Sequence, residues 1–159
     1  MTRDGWDVVL RPHVTPLVAY VVATVVAVVA VLAGVFMRIA STGVVFRVAD
    51  QVAVAGVGII VAGAILLLAR PRLRVGPAGL AVRNLLGYRV IPWSDVVDVS
   101  FPIGARWARV DLPDYEYVPV LAIQAVDRER AVTAMDTVRE LTGKYRSDVT
   151  DYISREFRY

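Results

Sequence analysis

Cysteine is absent from this 159-residue chain, which excludes disulfides, thiolate metal sites and a cysteine nucleophile and leaves the redox compartment undetermined. Histidine occurs once, as His13, ahead of the first of two apolar runs, where it cannot join a triad built from the other half of the chain. An interfacial side chain is its ordinary reading. No glycine-rich phosphate loop opens a helix, no His/Glu spacing suits a metal, and no Ser/His/Asp set is present. The expectation is a protein that is not an enzyme and uses neither cofactor nor metal. Lysine is also scarce: 17 of the 18 basic residues are arginine, which together with abundant Ala and Val fits a high-GC bacterial genome. From Arg70 onward 14 basic residues face 12 acidic ones without a basic stripe, so nucleic acid is not an expected partner.

The absence with the widest consequence is that of charge in two stretches, Pro16 to Phe36 and Val52 to Ala69. As helices these runs would extend roughly 31 and 27 Å, enough to cross a hydrocarbon core of about 30 Å. The first exceeds the h-region of a secretory signal, about 7–15 residues, and no small-x-small site ends it before Arg38, so it reads as a retained span. Neither run contains Asp, Glu, Lys, Arg or His, which argues against a proton relay or ion path. Within the second run Gly56, Gly58, Ala62 and Gly63 would let another helix approach closely, either the first span or a helix of another protein.

The predicted organisation is an N-terminal segment 1–15, transmembrane helix 16–36, loop 37–51, transmembrane helix 52–69, soluble domain 70–144 and tail 145–159. The loop holds Arg38 and Arg47, whereas the outer flanks hold Arg3, Arg11, Arg70, Arg72, Arg74, Arg83 and Arg89. By the positive-inside rule this asymmetry places both termini in the cytoplasm and the loop outside, in a plasma (inner) membrane. Arg70, Arg72 and Arg74 fall where anionic headgroups would sit, so membrane lipids are an expected partner; a topogenic stop signal explains the same residues.

After Pro71 the pattern changes to short runs of period two separated by Gly76-Pro77-Ala78-Gly79 and by Leu85-Leu86-Gly87, which are hairpin signals. Trp93-Ser94-Asp95 reads as a turn with Ser94 as its cap, and Trp93 as a core residue beside Phe101. Strands follow through Val97–Phe101, Trp107–Leu112 and Tyr117–Ala122. From Asp127 the period becomes helical, with Ala131, Met135, Val138 and Leu141 on one face. The expected fold is therefore membrane-anchored α+β: a two-helix hairpin followed by a small antiparallel barrel capped by a C-terminal helix.

Three stretches carry a resemblance. They are Leu73 to Asn84, Val90-Ile91-Pro92-Trp93 through Phe101, and Gly104 with Trp107-Ala108-Arg109. Over residues 70 to 142 these resemble the bacterial PH-like domain of membrane-anchored actinobacterial proteins, with Trp93 and Trp107-Ala108-Arg109 the most specific elements. The resemblance implies a PH-like barrel capped by a helix on a chain with two N-terminal spans. Phosphoinositide binding as in eukaryotic PH domains is not implied: it uses a basic loop between the first two strands, and Gly76 to Gly79 has no basic residue.

Two features could serve binding. Arg106, Trp107 and Arg109 set an aromatic between cations, suited to an acidic partner, although core packing is the ordinary reading of Trp107. The tail places Val149, Tyr152, Ile153, Phe157 and Tyr159 as a partial amphipathic stripe. Asp111, Asp114 and Glu116 could hold a divalent cation but read as a solvated turn. The expected function is a non-enzymatic membrane-anchored module that presents a cytoplasmic surface to another membrane or envelope protein. The alternative is an accessory structural subunit of a larger respiratory or transport complex.

Overall fold

The computed structural model describes residues 5–36 and 47–156, with side chains up to Ser147. It divides into two compact units, one formed by residues 14–70 and the other by the segment ending at His13 together with Pro71 and everything after it.

The first unit is a pair of helices, α1 (Val14–Phe36) and α2 (Val48–Leu66), the latter extended by a 3-10 turn over Leu67–Ala69. Pro16 is tolerated in the first turn of α1, where backbone N–H groups have no helical partner in any case. The second helix begins four residues earlier than its apolar run, because Asp50 reaches back to accept a hydrogen bond of 2.9 Å from the Arg47 N–H and closes the N-terminus. Both helices are long and apolar enough to cross a membrane. Gly58 marks where they touch: a Cβ there would lie 2.0 Å from the Ala30 Cβ, so the small residue is used for packing α2 on α1. Nothing lies within 4 Å of a Cβ built on Gly56 or Gly63.

The second unit begins with a strand that the period-two pattern does not reveal. β1 (Val8–Leu10) pairs antiparallel with β2 (Arg72–Gly76) in the register Val8 to Val75, Val9 to Arg74 and Leu10 to Leu73. β3 (Gly79–Arg83) and β4 (Tyr88–Ile91) complete a four-stranded sheet in the order β1-β2-β3-β4. A strand from before the two long helices and one from after them thus lie side by side, with the helices inserted in the connection. The segment expected as a plain N-terminal extension is part of the domain.

A second sheet, β5 (Asp98–Ser100), β6 (Trp107–Asp111) and β7 (Tyr117–Gln124), is antiparallel in chain order. Among the described residues no ladder joins the two sheets, so the closed barrel expected from the sequence is an open pair of sheets. The break falls at Pro92, which has no N–H to donate, and at the 3-10 turn Trp93–Asp95 that redirects the chain. Ser94 does not cap that turn; its hydroxyl donates to the Asp95 carboxylate at 3.0 Å, and the capping position belongs to Pro92.

The core lies between the sheets and α3 (Glu129–Glu156), with Leu73, Leu80, Ile91, Val99, Val110 and Val120 fully buried. Ala131, Met135 and Val138 are buried and Leu141 partly so, while the Arg139 side chain is exposed. Trp93 is 5% exposed, and its indole N–H donates to the Gly76 carbonyl at 2.9 Å. Its ring stacks on Tyr145 at a centroid distance of 5.5 Å, so the expected core role is met with Tyr145, rather than Phe101, as the aromatic neighbour. The Tyr145 hydroxyl donates to the Asp7 carboxylate, tying the helix to the N-terminal segment. The helix does not end near 142 but continues to Glu156, and Tyr145 belongs to the domain rather than to a tail. The side chains of Val149, Tyr152, Ile153, Phe157 and Tyr159 lie outside the described residues.

Candidate functional site

Period-two alternation sorts each sheet into an inner and an outer face. On β6, Ala108 and Val110 point into the core, so Trp107, Arg109 and Asp111 share the outer face. Trp107 is 42% exposed, which removes the core reading of that residue. Arg109 is held from three sides. Its Nε donates to the Asp111 carboxylate at 2.8 Å and to the Ser100 hydroxyl at 3.1 Å, and its guanidinium sits 5.4 Å from the centre of the Tyr117 ring. The Ser100 hydroxyl in turn donates to Asp111 at 2.6 Å. This arrangement orders Arg109 and balances its charge, leaving a polar-aromatic wall rather than a free cation.

Arg106 and Trp107 lie at the other end of β6. The Arg106 carbonyl accepts a hydrogen bond of 2.9 Å from the Ala125 N–H, and Trp107 pairs with Gln124 beside an irregularity in the β6–β7 ladder. Ala125 lines an open groove of about 380 Å³ with Phe101, Arg128, Val132, Met135 and Asp136. The three residues singled out from the sequence are therefore divided: Arg106 is tied through its backbone to Ala125 of the groove, Trp107 lies on the outer face without lining the groove, and Arg109 is built into the sheet wall. The groove itself was not legible, because its members come from three elements and Val132 lies off the main apolar stripe of α3, 62% exposed.

The acidic turn offers no gathered ligand set. Asp111 is engaged by Arg109 and Ser100, Asp114 and Tyr115 adopt φ near +60°, and among the described residues no cluster of three potential ligands is close enough to hold a metal ion. His13 contributes its backbone N–H, which donates to both oxygens of the Asp127 carboxylate at 3.1 and 3.3 Å and pins the end of the N-terminal segment to the domain.

The first sheet has a different outer face. Arg72 stands opposite Arg83, which stands opposite Tyr88, and the next row on that face runs Val9, Arg74, Ala81, Val90. No acidic residue occupies these positions. Of the cations expected at a membrane surface, Arg72 and Arg74 thus share one sheet face with Arg83, while Arg70 precedes the strand. The Gly76–Gly79 turn, where a eukaryotic PH domain would carry its basic loop, closes the opposite end of the sheet.

Residues 70–141 match the family described as the bacterial PH domain. Uncharacterized proteins of Mycobacterium tuberculosis and Mycobacterium bovis are each 62% identical to the chain over 146 residues, covering 92% of this chain and 95% of theirs. The chain belongs to this bacterial PH domain family. No solved structure matches it. The two sheets and closing helix are the PH-like domain that the resemblance implies, and the family description names no enzymatic activity.

Proposed function

We propose that this bacterial PH domain protein is a non-enzymatic module anchored in the plasma (inner) membrane by α1 and α2, with both termini cytoplasmic. The observation that carries this reading is the pairing of β1 with β2: two spans leaving and re-entering one domain would have both of their outer ends on the same side. Supporting it, Leu17, Val21, Val29, Ile59 and Ile60 are exposed on the helices, a surface suited to lipid rather than water. The excess of arginine outside the hairpin supplies the sidedness. Arg70, Arg72 and Arg74 lie against anionic headgroups in this reading.

The module presents Arg106, Trp107 and Arg109 to another membrane or envelope protein, in cell-envelope or membrane-complex assembly. An exposed tryptophan among arginines is the kind of anchor that dominates protein interfaces. A photo-crosslinking residue at position 107 of the full chain, in native membranes, should capture one discrete partner, while the same residue at Ala78 should capture none. Equal capture at both positions would remove the surface assignment. A phosphatase fused after Tyr159 should be inactive; an active one would reverse the topology.

The second reading, an accessory subunit of a larger complex, is favoured by Gly56 and Gly63, which α1 leaves uncovered. Stoichiometric recovery with one complex through mild detergent would select it.

A further inference from the structure

We propose that the β3–β4 turn, with Leu86 at its tip, inserts into the interfacial layer of the membrane and fixes which end of the domain faces the bilayer. The inference rests on the anchoring proposed above and adds a second, non-covalent contact to it. β1 runs toward α1, and β2 begins three residues after Ala69, the last residue of the second apolar helix. Three steps of chain reach no more than about 11 Å, so the chain itself tethers Arg72, at the end of the first sheet that also carries Leu10, to the last residue of the second apolar helix. In this antiparallel sheet Leu10 pairs with Leu73, Arg72 with Arg83 and Arg83 with Tyr88, so the β3–β4 turn closes that same end.

The turn has the composition of an interfacial wedge. Leu86 is 92% exposed, Leu85 and Tyr88 are exposed beside it, and Arg83 and Arg89 flank the pair. Apolar tips framed by arginine and tyrosine suit the boundary between acyl chains and anionic headgroups. Nor is the tip a loose loop. The Asn84 N–H donates to the Gly87 carbonyl at 2.9 Å, and the Asn84 side chain grips β7, donating to the Pro119 carbonyl at 2.8 Å and accepting from the Leu121 N–H at 3.3 Å. The brace holds the exposed leucine out from the domain at a fixed position. The opposite turn of the same sheet, Pro77-Ala78, is equally exposed but has no large apolar side chain, and stands about 20 Å away along the strands.

The absence of cysteine makes the test direct, because one introduced cysteine carries the only label. Leu86→Cys, Ala78→Cys and Val29→Cys are each labelled with an environment-sensitive fluorophore in the full chain. They are then reconstituted in phosphatidylcholine–phosphatidylglycerol vesicles, with and without lipids bearing a nitroxide near the headgroup. The expected result is blue-shifted emission at Leu86, quenched by the nitroxide lipid, with red, unquenched emission at Ala78. Blue-shifted emission at Val29 with red, unquenched emission at Leu86 would overturn the insertion while leaving the anchor intact. A blue shift at Leu86 without quenching would mean that protein covers the tip, also overturning it. Red, water-like emission at Val29 would overturn the anchoring, and equal quenching at Leu86 and Ala78 would overturn the end-on placement.

Discussion

The two sheets of the domain bury similar aliphatic side chains against one helix, yet their outer faces handle charge in opposite ways. On the second sheet Asp98 stands opposite Asp111, and Arg109 lies within hydrogen-bond reach of Asp111, so cation and carboxylates share one face. On the first sheet Arg72 stands opposite Arg83 with Arg74 on the same face and no acid at these register positions. A face with arginine at several register positions suits an anionic surrounding such as lipid headgroups. The face without acids belongs to the sheet whose strands lead directly to the apolar helices. In the proposed function the first sheet meets lipid and the second sheet is left for protein.

The comparison breaks most completely if the core shared by both sheets is lost. Val138 is fully buried on α3, and Val138→Asp should unfold the domain, because an unpaired carboxylate cannot be buried without a large penalty. Limited proteolysis of the full chain in detergent should then be rapid, and wild-type resistance would mean that the helix does not close the core. Trp93→Ala should cost about 3–5 kcal/mol in thermal or denaturant unfolding, the range for truncating a buried aromatic. It also strips the Gly76 carbonyl of its donor. A loss below about 1 kcal/mol would contradict the stacked, hydrogen-bonded position.

Smaller substitutions sharpen the contrast between the faces. Ser100→Ala removes the hydroxyl shared by Arg109 and Asp111 and should cost about 1 kcal/mol, with no effect on vesicle binding. Arg83→Glu, opposite Arg72, should instead weaken attraction to anionic vesicles by about 1 kcal/mol or more. Unchanged vesicle binding would show that this face does not meet lipid. Arg139→Ala, on the exposed side of α3, should change stability by no more than about 0.5 kcal/mol.

Much of this fold is legible in the residues. Uncharged length reveals α1 and α2, helical spacing reveals the Ala131, Met135, Val138 face of α3, and Pro92-Trp93 announces a turn that buries its indole. Trp107 is more instructive, because hydrophobicity suggested burial while the alternation Trp107, Ala108, Arg109, Val110, Asp111 assigns it to the same face as two charged residues. The alternation was the better guide. Strand β1 could not be read, since three residues, Val8-Val9-Leu10, are too few to express a period and their partners lie more than 60 positions away. The openness of the sheets was equally hidden, because closure depends on ladders between distant strands rather than on any one segment. The groove was hidden because Phe101, Ala125 and the α3 residues that line it are distant in the chain.

The central claim is that the apolar helices are inserted between two paired strands of one bacterial PH domain, and a disulfide tests it most directly. Val9 and Arg74 are cross-strand partners from opposite sides of the insertion, at the short separation a disulfide needs. Val9→Cys combined with Arg74→Cys in the otherwise cysteine-free chain, reconstituted in vesicles and mildly oxidised, should form an intramolecular disulfide, seen as a reductant-sensitive mobility shift of the monomer. Failure to form that bond, under conditions where Arg74→Cys with Ala81→Cys does form one, would contradict the shared sheet and with it the closed excursion of the two helices.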